Sequence, residues 1–301
     1  MKLKFKTYFL LKCLPRIGNV KALKIAKKLS SDVENAHSLL NEYKQIRNSE
    51  KNLPDLELSD FDSAFNNFKK EQELSEKENI HFVGFDDDNY PLEYKNLKEP
   101  PCILFVKGDV SKLKEKNKLA IIGSRDASDY AKSISKKIGN VANENNIVVV
   151  SGLARGCDEY AHKGSLKNGG TIAILPSGLK NIYPSTNKAL ANDIIDNGGC
   201  LVTEYFYEVA ATKYNFIARD RLQSGLSKVV VLVESKIDGG SMKTINFAME
   251  QNVKIYCWKH DENYFDFNKC SGNQKLLQTS GIEKLENGED CLKMIDHQFK
   301  N

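Results

Sequence analysis

The chain has 301 residues, of which 41% are apolar and 28% charged, with a net charge of +4. That is enough chain to bury a sizeable core in one large domain or two, and it is too apolar for a disordered polymer. No apolar run reaches the roughly 18 residues that a transmembrane helix needs.

The first residues, MKLKFKTYFLLKCLPRIG, have a basic start and a short apolar patch like a signal peptide. Lys12 and Arg16 interrupt the patch and no small-residue cleavage site follows, so a cytoplasmic protein is expected. Seven cysteines (Cys13, Cys102, Cys157, Cys200, Cys257, Cys270 and Cys291) are scattered without a C-x-x-C pair. Several sit in apolar strand patterns, as reduced thiols acting as small hydrophobes do, and their spacing gives no zinc signature, so no metal is expected.

Charge is unevenly placed. Residues 1–30 carry Lys2, Lys4, Lys6, Lys12, Arg16, Lys21, Lys24, Lys27 and Lys28 with no acid, a local charge of +9 that leaves −5 on the remainder. A basic segment on a mildly acidic body fits a local polyanion contact or a solvated terminus. Within it Leu10, Leu11 and Leu14 lead into Pro15-Arg16-Ile17-Gly18, and Ala22, Leu23, Ile25, Ala26 and Leu29 follow at helical spacing. Helix, turn and helix read as a helix-hairpin-helix, in which Gly18 and Lys21 at the second helix start would meet a phosphate without reading bases. A purely structural hairpin has the same pattern.

Residues 31–79 continue as polar helices with Leu39, Leu40, Tyr43 and Ile46 on one face and Phe61, Phe65 and Phe68 on another, a small-domain core. A strand is expected over 80–85, a turn at 86–89, a short helix from Tyr90, and a buried strand over 102–107. From 119 onward apolar runs at 119–123, 147–150, 171–175, 200–203, 228–233 and 253–258 alternate with helical patterns, implying a parallel sheet covered on both faces. The fold class is therefore α/β: a doubly wound, mostly parallel sheet over 80–260, preceded by a small all-α, SAM-like helix-hairpin-helix domain over 1–79. Residues 261–301 are expected to be a tail with short helices.

Two strands each run into a small-residue turn that opens a helix, Gly123-Ser124-Arg125 and 151–156, and each turn carries an arginine, Arg125 and Arg155. Amides at such helix starts converge on anions at the sheet edge. Neither turn is the dinucleotide pattern G-x-G-x-x-G or a P-loop. A third turn, Gly239-Gly240-Ser241, follows the fifth apolar run. In 215–222, Arg219 and Arg221 diverge by roughly 200° on a helix, so one can face ligand while the other pairs with an acid such as Asp220. Phe216 shares a face with Arg219, which suits a stacked base with its phosphate held, or simply a core aromatic. Asp158 and His162 are spaced to pair, and Glu204 and Glu234 end strands where ligands of open sheets bind. No nucleophile or metal-protease pattern accompanies them, so no catalysis is expected.

Taken together, Ile121-Ile122-Gly123-Ser124-Arg125, 149–158 (VVSGLARGCD), Ala161-His162, 170–175 (GTIAIL), Ile182-Tyr183-Pro184-x-x-Asn187, Thr203-Glu204, Gly225-Leu226-Ser227, Val233-Glu234 and Gly240-Ser241-x-x-Thr244 resemble the DprA (Smf) DNA-processing family. Upstream, Tyr90-Pro91 and Pro100-Pro101-x-Ile103-Leu104-Phe105-x-x-Gly108 fit the same pattern. The resemblance covers about 8–295. It implies an extended Rossmann-like domain that binds single-stranded DNA without sequence readout, forms a homodimer, and hands the strand to the recombinase RecA in transformation or recombination, with no cofactor. It also implies a basic phosphate pocket at Gly123, Ser124 and Arg125, with Arg155, Tyr183, Asn187, Phe216, Arg219 and Arg221 near the strand's path and Gly240 and Ser241 in the third turn. Departures are Cys157 for the family's usual Ile, Asp220 for the Asn between the two arginines, no Pro-Gly after Trp258, and no winged-helix pattern at the end. The competing reading is a nucleotide-binding or nucleoside-monophosphate-hydrolysing enzyme on a related sheet; the segment nearest its Pro-Gly-Gly-x-Gly-Thr-x-x-Glu turn, 239–244, lacks the glutamate. A scaffold using the basic N-terminus is a third.

Overall fold

The computed structural model describes residues 4–30 and 32–300; Lys2 of the basic segment lies outside the described residues. The chain divides into two compact units, Met1–Val106 and Lys107–Asn301.

The described residues of the first unit begin with α1 (Phe5–Cys13) and α2 (Asn19–Ala26), the expected hairpin, followed by α3 (Ala36–Ser49) and α4 (Leu58–Glu78). Asn35 accepts from the Ser38 amide at 2.9 Å and Ser38 Oγ accepts from the Asn35 amide at 3.3 Å, a capping box that satisfies donors at the start of α3. Asn79, left-handed at φ 54°, ends α4 and turns the chain into β1 (Ile80–Gly84). The strand β2 (Ile103–Gly108) begins in this unit, which ends at Val106. Phe9 of α1 packs on Phe68 of α4, Phe82 of β1 and Phe105 of β2, with ring centroids 5.2, 5.8 and 6.2 Å away. Helices and strands thus share one aromatic core, and the boundary between compact units falls after Val106 rather than at the expected 79/80.

In the second unit the chain alternates strictly: β3 (Lys118–Ile122), α5 (Asp129–Glu144), β4 (Val148–Ser151), α6 (Cys157–Gly164), β5 (Thr171–Ile174), α7 (Lys188–Asp196), β6 (Cys200–Thr203), α8 (Lys213–Gly225), β7 (Val229–Leu232), α9 (Ser241–Glu250) and β8 (Lys254–Trp258). Then come α10 (Phe267–Leu277), β9 (Glu283–Leu285) and α11 (Gly288–Phe299). The strands are parallel, in the order β6-β5-β4-β3-β7-β8-β9.

The period of two along each strand sends alternate residues to opposite faces. Ile121, Val149 and Val231 pack under Ile134 and Ile138 of α5, Ala161 of α6 and Met294, Ile295 and Phe299 of α11. Their neighbours Ala120, Ile122, Val230 and Leu232 pack under Ile245 and Ala248 of α9 and Leu276 of α10. Each fully buried Val, Leu or Ile contributes about 1.5–3 kcal/mol, so helices on both faces are needed to cover the sheet's two apolar sides. The segment expected as a tail, 261–301, supplies the edge strand β9 and part of the core through α11.

Candidate functional site

The strand β3 pairs with β4 on one side and β7 on the other. The loops leaving the C-terminal ends of β3 and β7 therefore part, which opens a crevice at the point where the winding reverses. A cavity of about 410 Å³ lies there, bounded by Gly123–Asp126 after β3, Ala154 and Asp158 after β4, one side of α8, and residues from Ser235 to Thr244 after β7.

The three small-residue turns all reach this cavity but differ in what they leave open. After β3, the Ser124 amide donates to the Glu234 carbonyl at 2.7 Å, and Ser124 accepts from the Cys157 amide at 3.1 Å, so this turn is tied to both neighbouring loops. After β4, the Gly152 amide donates to Asp158 Oδ2 at 3.0 Å, so a carboxylate of the chain itself fills the turn. Glycine is required at Gly156, where φ is +77° and a Cβ would lie 2.2 Å from the Ser124 carbonyl, and the Arg219 guanidinium closes on the bare backbone of Gly152, 1.6 Å from where a Cβ would stand. After β7, Gly240 is exposed and the amides of Gly240 and Ser241 have no hydrogen-bond partner among the described residues. These open donors start α9, ten residues long, where the helix dipole favours an anion.

Cations crowd the mouth. Arg125 is exposed, with its guanidinium 4.5 Å from the centre of the Phe216 ring. Phe216 is half-buried and meets the ring of Tyr183 edge-on at 5.2 Å; Tyr183 is 46% exposed. Lys213, Lys236 and Lys243 line the same opening, and neither they nor Arg125 form an ion pair among the described residues. The three lysines were not singled out in the sequence, although Lys243 follows the Gly-Gly-Ser turn by two residues, in the first turn of α9.

The floor is the reverse. Arg219, 3% exposed, donates to the Ile174 carbonyl at 2.9 Å, and its Nε lies 3.2 Å from Asp220 Oδ1, close enough for an ion pair but not aligned for a hydrogen bond. With its amide oriented so that the nitrogen faces Asp220, as its neighbours require, Gln223 donates to Asp220 at 3.2 Å and shares the Gly152 amide with Asp158, accepting from it at 2.8 Å. Burial pushes the Asp220 carboxyl up to about 6, the Arg219 charge offsetting part of the cost. Burial raises Asp158 in the same sense, again against Arg219.

Several residues expected at the site are not brought to it. Arg221 faces away and grips Glu204 in a bidentate pair at 2.7 and 2.9 Å. Asn187 is 4% exposed and donates to the Leu153 carbonyl at 2.9 Å, bracing the second turn from behind. Arg155 is exposed but does not line the cavity. Asp158 and His162 do not pair: His162 Nε2 accepts from the Leu153 amide at 3.3 Å, so Nδ1 carries the proton and donates to Thr171 Oγ1 at 2.7 Å. Burial pushes His162 down to about 3, which keeps it neutral. Glu234 accepts from the Ser128 amide and hydroxyl at 2.9 and 2.6 Å, capping α5. In the first unit, Gly18 is exposed at the start of α2, with open space where a Cβ would stand. Lys21 donates to the Arg16 carbonyl at 3.3 Å, and Lys24 and Lys28 both bind Glu50, which neutralises part of the basic segment.

A family model described as DNA recombination-mediator protein A matches residues 81–296. DNA processing protein DprA of Streptococcus pneumoniae is 40% identical over 172 residues, 56% of this chain and 60% of that protein. The X-ray structure of DprA from the same organism superposes with a TM-score of 0.76 at 28% identity, covering 97% of this chain and 98% of that one. A Helicobacter pylori DNA processing protein A, described for its single-stranded DNA binding mode, superposes with a TM-score of 0.64 at 28% identity, over 73% of this chain and 97% of that one. The chain spans 60% of the S. pneumoniae protein's length and 48% of that of protein Smf from Escherichia coli, to which it is 36% identical over 182 residues. With the family model covering most of the chain and the solved fold superposing on nearly all of it, this protein belongs to the DNA recombination-mediator protein A family, the DprA/Smf proteins.

Proposed function

We propose that the cavity mouth binds single-stranded DNA by its phosphates, without base readout, and that the chain protects this strand and passes it to the recombinase RecA as a homodimer in the cytoplasm. Its work is binding rather than catalysis. The observation that carries this reading is Arg125: an exposed guanidinium with no acidic partner among the described residues, laid on Phe216 and lining the same cavity as the open amides of Gly240 and Ser241. A phosphate seated there gains charge-assisted bonds from Arg125 and dipole support from α9, while Phe216 and Tyr183 offer ring faces to adjacent bases. A duplex hides its base faces, so single strands are preferred. The match to a relative described for single-stranded DNA binding agrees with this. The carboxylates that a hydrolytic reading would use, Glu204 and Glu234, are engaged by Arg221 and Ser128.

Fluorescence anisotropy with labelled single- and double-stranded oligonucleotides tests the proposal. Tighter single-strand binding, weakened about tenfold or more by Arg125→Ala, is expected; each phosphate contact of this kind is worth about 1–3 kcal/mol. Full affinity in Arg125→Ala would remove the site, and turnover of a nucleoside monophosphate would replace the reading with an enzymatic one.

A further inference from the structure

Outside the cavity mouth, three side chains with metal-ligand chemistry meet in the interior: Glu234 after β7, His260 after β8 and Cys270 in α10. One donor atom from each lies within 4.8 Å of the others, and the three residues are 1%, 5% and 1% exposed. None of them is used by the DNA-binding reading.

His260 shows which way the group faces. Its Nε2 is 2.9 Å from the Val233 carbonyl, and a carbonyl only accepts, so Nε2 carries the proton. The other ring nitrogen, Nδ1, can then offer a lone pair, and that atom is buried without a partner among the described residues. A buried acceptor left without a donor is destabilising, so the site favours a group that takes that lone pair. A ring nitrogen whose opposite N–H is anchored to a backbone carbonyl is the arrangement found behind metal-bound histidines. Glu234 adds a buried carboxylate that is held by Ser128 alone, with no cationic side chain paired to it among the described residues.

We propose that Glu234, His260 and Cys270 bind one divalent transition-metal ion of the zinc class. Carboxylate, imidazole and thiolate carry two negative charges between them, so a dication makes the buried cluster neutral; the Cys270 proton leaves to solvent on binding. The sulfur donor selects against magnesium and calcium, which take oxygen ligands, and favours zinc or cobalt. Tetrahedral ligands at about 2.0–2.3 Å stand roughly 3.5 Å apart, so binding draws the three donors together by roughly 1 Å. Water completes the fourth position. The ligands come from three separate elements, which is why cysteine spacing alone carried no zinc signature. The ion would pin the ends of β7 and β8 to α10, and through the Glu234 carbonyl, which holds the Ser124 amide, it would brace the turn that presents Arg125.

The test uses the full chain, stripped with chelator and titrated with Co²⁺ and with Zn²⁺. A thiolate-to-cobalt charge-transfer band saturating at one equivalent is expected, displaced by zinc and absent in Cys270→Ala. Zinc in hundredfold excess over its Kd is expected to raise the melting temperature by roughly 5 °C or more, with no rise in His260→Ala or Cys270→Ala. Glu234→Gln, which keeps the side-chain length and one acceptor oxygen for the Ser128 amide, should fold and bind zinc at least tenfold more weakly. A cobalt band that persists in Cys270→Ala, a wild-type melting temperature indifferent to zinc, or unchanged zinc affinity in Glu234→Gln would each overturn the site.

Discussion

Arg125 and Arg219 line the same cavity, one at its mouth and one in its floor, and they present opposite chemistry. At the mouth a guanidinium lies on an aromatic ring with its charge facing solvent. In the floor the same group is closed in by a strand carbonyl, Asp220 and the bare backbone of Gly152. Arg221, two residues further on, is held by Glu204. The difference teaches that an arginine becomes a ligand group only where the fold leaves it without an internal partner. A buried cation must be matched from within, since desolvation otherwise costs several kcal/mol.

The sharpest way to break the comparison is to remove a floor partner. Glu204→Ala takes away the carboxylate that neutralises the buried Arg221 guanidinium and is expected to cost about 3–5 kcal/mol of stability, read by chemical denaturation. A loss below about 1 kcal/mol would place Arg221 among the adaptable surface charges. Phe216→Ala acts at the mouth and has the opposite signature: oligonucleotide binding should weaken by about 1–3 kcal/mol, with the denaturation midpoint almost unmoved. Gly152→Ala drives a Cβ into the Arg219 guanidinium and is expected to destabilise by about 1–3 kcal/mol, measured by thermal melting.

The alternating framework was legible in the sequence because its strands are continuous runs of branched apolar residues, and all six runs are strands. The edge strand β9 was not, because only Leu285 of its three residues is buried. The unit boundary was hidden for a related reason: Phe9, Phe82 and Phe105 meet only in three dimensions. At the site, turn chemistry identified Gly123 to Arg125 and Gly240-Ser241. It could not show that Asp158 fills the second turn, or that the acid opposite Arg221 is Glu204, far away at the end of β6. Helical spacing gave the divergence of Arg219 and Arg221, and the fold found an interior partner for each.

A smaller effect separates mouth from floor by pH. Asp220, ordinarily near 3.8, is raised to about 6 by burial. The native state keeps this proton to higher pH than the unfolded chain does, so its contribution to stability is full below 3.8, declines as pH rises to about 6, and is lost above. A phosphate at the mouth meets one negative charge fewer once Asp220 is protonated. Affinity for single strands should therefore rise modestly as pH falls through about 6, and Asp220→Asn should flatten that rise in anisotropy titrations.

The salt dependence of single-strand binding tests the division of labour most directly. Each phosphate neutralised on a single strand adds about 0.7 to the slope of log K against log salt concentration. If Arg125, Lys213 and Lys243 are the charges that meet the strand, replacing all three with alanine lowers the slope by about 2 while leaving the melting temperature in place. An unchanged slope in that folded triple variant would contradict the assignment of DNA contact to the mouth.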